Sequence, residues 1–269
     1  MNEDILRLGQ ANPQILQFSD LHLSSNEELM GINCDESFAA VKALASQYHS
    51  ADLTLITGDI SQDHSEASYR KCCEVFRYQQ HPVAWITGNH DEVAMQNDVL
   101  SVGAITPVKR ILFKHWQLLL LNSQIPGKIC GAISDEELEQ IKQAAIDYPK
   151  HHIMLVLHHH PIPMNSEWID NHCLINRDEL WSAVNEAGNV KGMMFGHVHQ
   201  MVDEEKEGVR VLGCPSTSVQ FTPNEDDFSV DDAQPGFRYL ELLANGTIKT
   251  KVHRVAENKF IPTFDPAGY

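Results

Sequence analysis

Oxygen and nitrogen donors recur along this chain in short clusters, each at the end of an apolar run. Asp20-Leu21-His22 follows residues 14–19, Gly58-Asp59 follows 51–57, and Gly88-Asn89-His90-Asp91 follows 82–87. His158-His159-His160-Pro161 follows 153–157, and Gly196-His197-Val198-His199 follows 190–195. Carboxylates, imidazoles and amide carbonyls are the groups that hold hard and borderline cations. In extended chain, residues two apart share a face. Asp20 and His22 can therefore aim at one ion while Leu21 turns into the core. His197 and His199 repeat that spacing. Three imidazoles at the end of a buried strand are costly to desolvate without partners, so one of His158, His159 and His160 is expected to be a ligand. With Asp20, His22, Asp59, Asn89, His197 and His199 it makes a set large enough for two divalent or trivalent ions sharing a carboxylate. His90 adjoins Asn89 and is a candidate proton donor, with Asp91 placed to orient its imidazole.

A single Asp-x-His or Gly-Asp is common in solvated turns. The weight comes from repetition, because ligands of open α/β sheets collect beyond the carboxyl ends of strands. The elements that must position the donors are legible. Residues 34–48 read as a helix, with Asp35 as N-cap and Phe38, Val41, Leu44 and Ala45 as its apolar stripe. Residues 63–80 read as a second helix on the crossover to the strand at 82–87, which implies parallel strands. Runs 109–113 and 116–121 read as an antiparallel hairpin, so the sheets are mixed. Ser134-Asp135-Glu136-Glu137 opens a helix with a capping box, and Tyr148-Pro149 ends it. Residues 176–187 read as a helix and 208–212 as a strand. The acidic stretch 224–235 reads as a mobile surface loop. Residues 237–255, turning at Asn245-Gly246, read as a C-terminal hairpin. No linker divides the chain, and 1–269 is expected to form one domain of mixed α/β class.

Composition narrows the function. The chain has 269 residues, 42% hydrophobic and 21% charged, as ordinary globular proteins do. Its formal net charge of −17 argues against a nucleic-acid partner. An anionic substrate would then need positive charge from bound metal, which the 15 histidines fit. The 6 cysteines include adjacent Cys72-Cys73 and no CxxC, which reads as reduced thiols. The acidic start Met1-Asn2-Glu3-Asp4, and the lack of an apolar run of signal or membrane-spanning length, point to a cytoplasmic protein without a membrane partner.

In order and strand context, Asp20-Leu21-His22, Gly58-Asp59, Gly88-Asn89-His90-Asp91, His159-His160-Pro161 and Gly196-His197-Val198-His199 resemble the calcineurin-like metallophosphoesterases. Further stretches are similar to the bacterial class III cyclic-AMP phosphodiesterases: Leu157 to Pro163, Trp168 to His172, Pro215 to Phe221, Pro235 to Arg238 and the final hairpin. The resemblance covers nearly the whole chain. It implies a four-layer αββα sandwich of two mixed β-sheets flanked by helices. It also implies Asp20, His22 and His199 around one ion, usually iron, and Asn89, His159 and His197 around a second, iron or manganese, with Asp59 bridging. In that family the ligand of the His-x-Pro element is two residues before proline, which selects His159. Strand alternation would then turn His158 and His160 away. Substrate contacts are expected at Asn89, His90 and His199. One departure is Cys130-Gly131, where relatives often carry His-Gly.

The implied reaction is hydrolysis of 3',5'-cyclic AMP to 5'-AMP, by a monomer or homodimer. Two ions about 3.5–4 Å apart would hold a hydroxide and clamp the phosphate oxygens. The alkoxide leaving group calls for an acid, the role of His90. A second reading is hydrolysis of another small phosphodiester, such as a glycerophosphodiester. A third, a metal-free scaffold on the same fold, is disfavoured by the complete donor set.

Overall fold

In the computed structural model, which describes residues 5–25, 28–256 and 258–263, the apolar runs form two sheets packed face to face. The stretch Met1-Asn2-Glu3-Asp4 lies outside the described residues. The first half of the chain runs β1 (Ile5–Arg7), β2 (Gln14–Phe18), α1 (Cys34–Ala45), β3 (Leu53–Thr57), α2 (Glu66–Phe76), β4 (Val83–Ile86) and α3 (Val93–Val99). Then come β5 (Arg110–Leu112), β6 (Trp116–Leu120), α4 (Asp135–Asp147), β7 (His152–Val156), α5 (Glu167–Asp170), α6 (Arg177–Ala187) and β8 (Val190–Phe195). The chain closes with β9 (Val202–Lys206), β10 (Val209–Gly213), β11 (Gln220–Phe221), β12 (Val230–Asp231), β13 (Gly236–Leu242) and β14 (Ile248–Arg254).

One sheet has the order β14-β13-β2-β3-β4, and the other β1-β5-β6-β7-β8-β10-β9. Both are mixed. The strands that end in donor clusters, β2-β3-β4 and β7-β8, run parallel within their sheets, so their carboxyl ends open on the same edge. Between the sheets, Ile15, Leu53, Leu55 and Ile86 pack on Leu118, Met154, Val156 and Met194. Phe38, Val41, Tyr69 and Phe76 of α1 and α2 cover Leu16, Phe18, Ile56 and Trp85 on one outer face. Leu138, Ile141, Leu180 and Val184 of α4 and α6 cover Ile153, Leu155 and Met193 on the other. The result is the αββα sandwich that the motifs implied. Among the described residues no helix is long and apolar enough to cross a membrane.

Local chemistry sets the boundaries. Ser134 caps α4 through Glu137 N, as its capping box predicts. Asn33, not Asp35, caps α1 by accepting from Glu36 N. The Asp35 carboxylate lies in the first turn and pairs with Lys71. Ser65 caps α2, which starts later than expected because Asp63 is used outside the helix. The edge strand β9 was not expected: its sequence Val-Asp-Glu-Glu-Lys has a single apolar position, a pattern that also keeps other strands from adding to the edge. Residues 224–235 are tied down rather than loose, through Trp168 N to Asp226 O (2.9 Å) and the pairing of β11 with β12.

Asp63 carries a testable consequence. Its carboxylate accepts from Ser25 N and Oγ, Ser65 N and Oγ, and Ser24 and Ser61 Oγ, joining the loop after His22 to the start of α2. Burial would raise its pKa, but the donors of Ser25 and Ser65 outweigh that and hold the carboxyl well below its usual range. A depressed folded-state pKa stabilises above the unfolded value of about 3.9 and is lost as pH falls through the folded one. Asp63→Asn should lower the urea midpoint at pH 7, with a deficit constant down to about pH 5 that shrinks below it. A deficit independent of pH from 7 to 3.5 would contradict this role.

Candidate metal centre

The donor clusters meet in one buried place. Oδ1 of Asp20 lies 3.5 Å from His199 Nε2, and His199 Nε2 lies 3.1 Å from His22 Nε2. Asp59 Oδ2 lies 3.3 Å from His158 Nε2 and 3.9 Å from His22 Nε2. Asn89 Oδ1 is 3.0 Å from the same His158 Nε2. Two donor groups result, Asp20, His22 and His199, and Asp59, His158 and His197. Asn89 joins the second, and Asp59 stands between the two.

Each imidazole is aimed by the bond made on its outer side. Nδ1 of His158 donates to Thr57 O (2.8 Å) and Nδ1 of His199 to Val219 O (2.9 Å). His22 Nδ1 donates to Gln62 Oε1 (2.7 Å). A ring nitrogen that bonds an outer carbonyl turns the opposite nitrogen inward, so Nε2 of each of these rings faces the centre. His197 is turned the other way: Nε2 donates to His172 O (3.0 Å), leaving Nδ1 for the centre.

The backbone cooperates. Asp20, His22, Asp59, His197 and His199 have φ of 54°, 48°, 50°, 68° and 52°. The Asp-x-His and His-x-His pairs do converge, with Leu21 and Val198 buried between them, but through left-handed turns rather than the extended alternation expected from spacing. Asp and His are among the residues that tolerate this region best. Gly88 packs so closely on Asp59 that a Cβ there would overlap its carboxylate.

His159 lies away from the position expected for it. Its Nδ1 accepts from Ser123 Oγ (2.7 Å) and its Nε2 donates to Ile129 O (2.9 Å), so neither nitrogen is left for an ion. His158, rather than His159, faces Asp59 and Asn89. The triplet lies in a bend beyond β7, where strand alternation no longer applies. His160 Nε2 lies 3.4 Å from Asp170 Oδ1. The Asp91 carboxylate accepts from Gly88 N, Ile60 N, Ser61 N and Tyr69 Oη, which pins the Gly88–His90 turn to the Gly58–Ser61 turn. The His90 ring stands edge-on to His22, with centroids 5.2 Å apart.

Several supports carried no motif. Gln124 Nε2 donates to Gly88 O (2.8 Å) and Asp91 O (2.7 Å), clamping the Asn89 turn. The Phe221 ring stacks on His199 at 4.2 Å. Phe221 closes the stretch Pro215 to Phe221 that resembles the cyclic-AMP phosphodiesterases, but Gln62 and Gln124 have no such signal. His172 contributes its carbonyl, and Cys130 lies beside Ile129.

The electrostatics call for a cation. Asp59 Oδ2 is buried and accepts no hydrogen bond. Burial would raise the Asp59 carboxyl, but His158, His90 and His22 outweigh it and hold it well below the usual range. Burial would lower His158, yet Asp59 and Asp20 hold it up at about 9. Burial and His199 push His22 down to about 3. Burial, then Asp59, push Asp91 up to about 7. Inward-facing ring nitrogens around two buried carboxylates, whose negative charge is strong enough to hold the His158 ring up, fit a pair of metal ions.

Metal content tests these positions. Asp59→Ala should disturb both ions, and His158→Ala should remove one. His159→Ala should retain both, with affinity lowered about 10-fold as expected for a residue outside the ligand set. Elemental analysis after supply of iron and manganese gives the answer. A greater loss in His159→Ala than in His158→Ala would overturn the assignment.

Known proteins bear on the same residues. Over 265 residues the chain is 40% identical to a 3',5'-cyclic adenosine monophosphate phosphodiesterase, CpdA, of Escherichia coli (strain K12), covering 97% of this chain and 96% of that one. A 3',5'-cyclic-nucleotide phosphodiesterase of a Nostoc species is 36% identical over 244 residues, covering 90% and 92%. A dimetal phosphatase from Danio rerio superposes with a TM-score of 0.68 over 92% of this chain and 98% of its own, at 11% identity, a likeness of fold alone. The calcineurin-like phosphoesterase family model matches residues 13–201. That stretch takes in every donor from Asp20 to His199, and the chain belongs to the calcineurin-like phosphoesterase family.

Proposed function

We propose that this protein hydrolyses 3',5'-cyclic AMP to 5'-AMP, using two metal ions, iron in one site with iron or manganese in the other. The observation that carries the reading is the span of similarity to the Escherichia coli phosphodiesterase, 97% of the chain, which reaches far beyond the metal ligands. The reading takes residues 1–269 as one domain, supported by the core shared between the sheets. Free cysteines, most of them buried, support a reducing, cytoplasmic setting.

Bound between these donors, a pair of divalent or trivalent ions supplies Lewis acidity toward phosphoryl oxygens and acidifies water. The chain's own residues do the rest. Asp59 Oδ2 lies between the two donor groups and holds them in register. Asn89 and His199, on opposite sides of the centre, bracket the phosphate. Phe221 closes the space behind His199 and keeps its ring from turning. His90 carries a proton on its imidazole to the departing 3'-oxygen, since cleavage to 5'-AMP breaks the bond between phosphorus and that atom. Asp91 and Gln124 fix the turn that presents His90 without touching substrate.

His90→Ala should lower kcat on 3',5'-cyclic AMP about 10²–10⁴-fold and leave metal content unchanged. Bis(p-nitrophenyl) phosphate, whose leaving group departs without a proton, should be affected much less. Equal losses on both substrates would remove His90 as the acid. Absence of cyclic-AMP turnover by metal-loaded wild type would reject the substrate assignment.

A further inference from the structure

Two thiols lie beside the carbonyls that aim site histidines. Gly131 pairs in parallel with Leu174; Gly131 N donates to Cys173 O (3.2 Å) and Ile175 N to Gly131 O (2.8 Å). That pairing sets Cys130 next to Cys173. Burial raises the Cys173 thiol, and Cys130 is near enough to add to the effect. Neighbouring paired chains lie about 4.7–4.9 Å apart, inside the Cα separation of about 4.4–6.8 Å that a disulfide spans. Cys130 is partly exposed, whereas Cys34, Cys72, Cys73, Cys173 and Cys214 are buried. An oxidant therefore meets Cys130 first.

Each thiol is one residue from an acceptor the site uses. Ile129 O takes the Nε2 proton of His159, and His172 O takes that of His197. Gly131 itself packs against the His159 ring. A disulfide brings its Cβ atoms to about 3.8 Å, closer than paired chains by roughly 1 Å. Closing it draws the two segments together and turns the peptide planes that carry those acceptors.

We propose that Cys130 and Cys173 are a redox modification site, whose reversible disulfide weakens the metal position formed by Asp59, Asn89, His158 and His197. The oxidant is a hydroperoxide. The Cys130 thiolate attacks one peroxide oxygen, the O–O bond breaks, and a sulfenic acid and hydroxide form. Cys173 sulfur then attacks the sulfenic sulfur, the S–O bond breaks, and water leaves. Two thiols lose two electrons and two protons, and one hydrogen peroxide becomes two waters. Exchange with an external dithiol reverses the bond. Disulfide formation stands apart from the substrate reading, on which only the accompanying loss of cyclic-AMP hydrolysis rests.

The experiment treats manganese-loaded protein with hydrogen peroxide and maps its peptides by mass spectrometry. The expected product is a Cys130–Cys173 cross-linked peptide, about 10-fold weaker retention of one ion against a chelator, and recovery with dithiothreitol and fresh manganese. Cys130→Ser should retain both ions after peroxide, and Cys173→Ala should do the same if Cys173→Ser folds poorly. Sulfinic or sulfonic acid at Cys130 without the cross-link would overturn the proposal, as would a cross-link that leaves both ions equally retained. A cross-link with ion loss in a protein that never hydrolyses cyclic AMP would sustain it while rejecting the substrate assignment.

Discussion

A buried carboxylate oxygen that accepts no hydrogen bond is the constraint on which this structure turns. Asp59 Oδ2 lies among inward-facing nitrogens of His22 and His158, with Asn89 Oδ1 beside the latter, and it accepts no hydrogen bond. Burying such an atom costs far more than an ordinary unmade hydrogen bond unless positive charge is nearby. The chain answers by orienting the surroundings for a cation. Backbone carbonyls of Thr57, His172 and Val219 take the outer protons of the imidazoles, so ring orientation and tautomer are set before any ion arrives.

The same constraint explains why donors come from both sheets. Asp20, Asp59 and Asn89 follow β2, β3 and β4 of one sheet, while His158, His197 and His199 follow β7 and β8 of the other. The centre therefore ties together two layers otherwise joined by apolar contact. His197 N donates to both oxygens of Asp20 (3.0 and 3.2 Å), and Gln17 Nε2 reaches Phe195 O (3.1 Å), so the seam is bonded at its backbone as well. A ligand that binds only the assembled seam stabilises the folded state by mass action. The left-handed residues at the strand ends each cost about 1–3 kcal/mol, and the packed glycines hold them there.

Much of this was legible in the sequence, because apolar runs and abrupt stops are one-dimensional features. β8 was bounded as it occurs, and Ser134 was recognised as a cap from its side chain and its spacing to Glu137. Residue type and position singled out Asp20, His22, Asp59, Asn89, His197 and His199 and left His158, His159 and His160 open. What stayed hidden lies in the third dimension. The carbonyls that aim the rings have no sequence signature, since every residue carries one. β9 was missed because an exposed edge strand needs no apolar alternation. Asn33 and Asp35 are both good caps two residues apart, and only the turn geometry selects Asn33.

The histidine triplet is the sharpest case, because its three members are chemically identical and differ only in where the chain turns. All three rings stand close to His197, with centroids 5.1, 4.8 and 5.7 Å away for His158, His159 and His160. Burial together with the neighbouring rings keeps His159 and His197 well below the usual range. His158 differs because it alone faces Asp59 and Asn89, while Ser123 and Ile129 occupy both nitrogens of His159. A count back from Pro161 cannot distinguish them, since the bend beyond β7 breaks the register on which counting depends. The distinction rests on what each inner nitrogen meets: that of His158 faces the oxygens of Asn89 and Asp59, whereas those of His159 meet Ser123 and Ile129, away from the carboxylates.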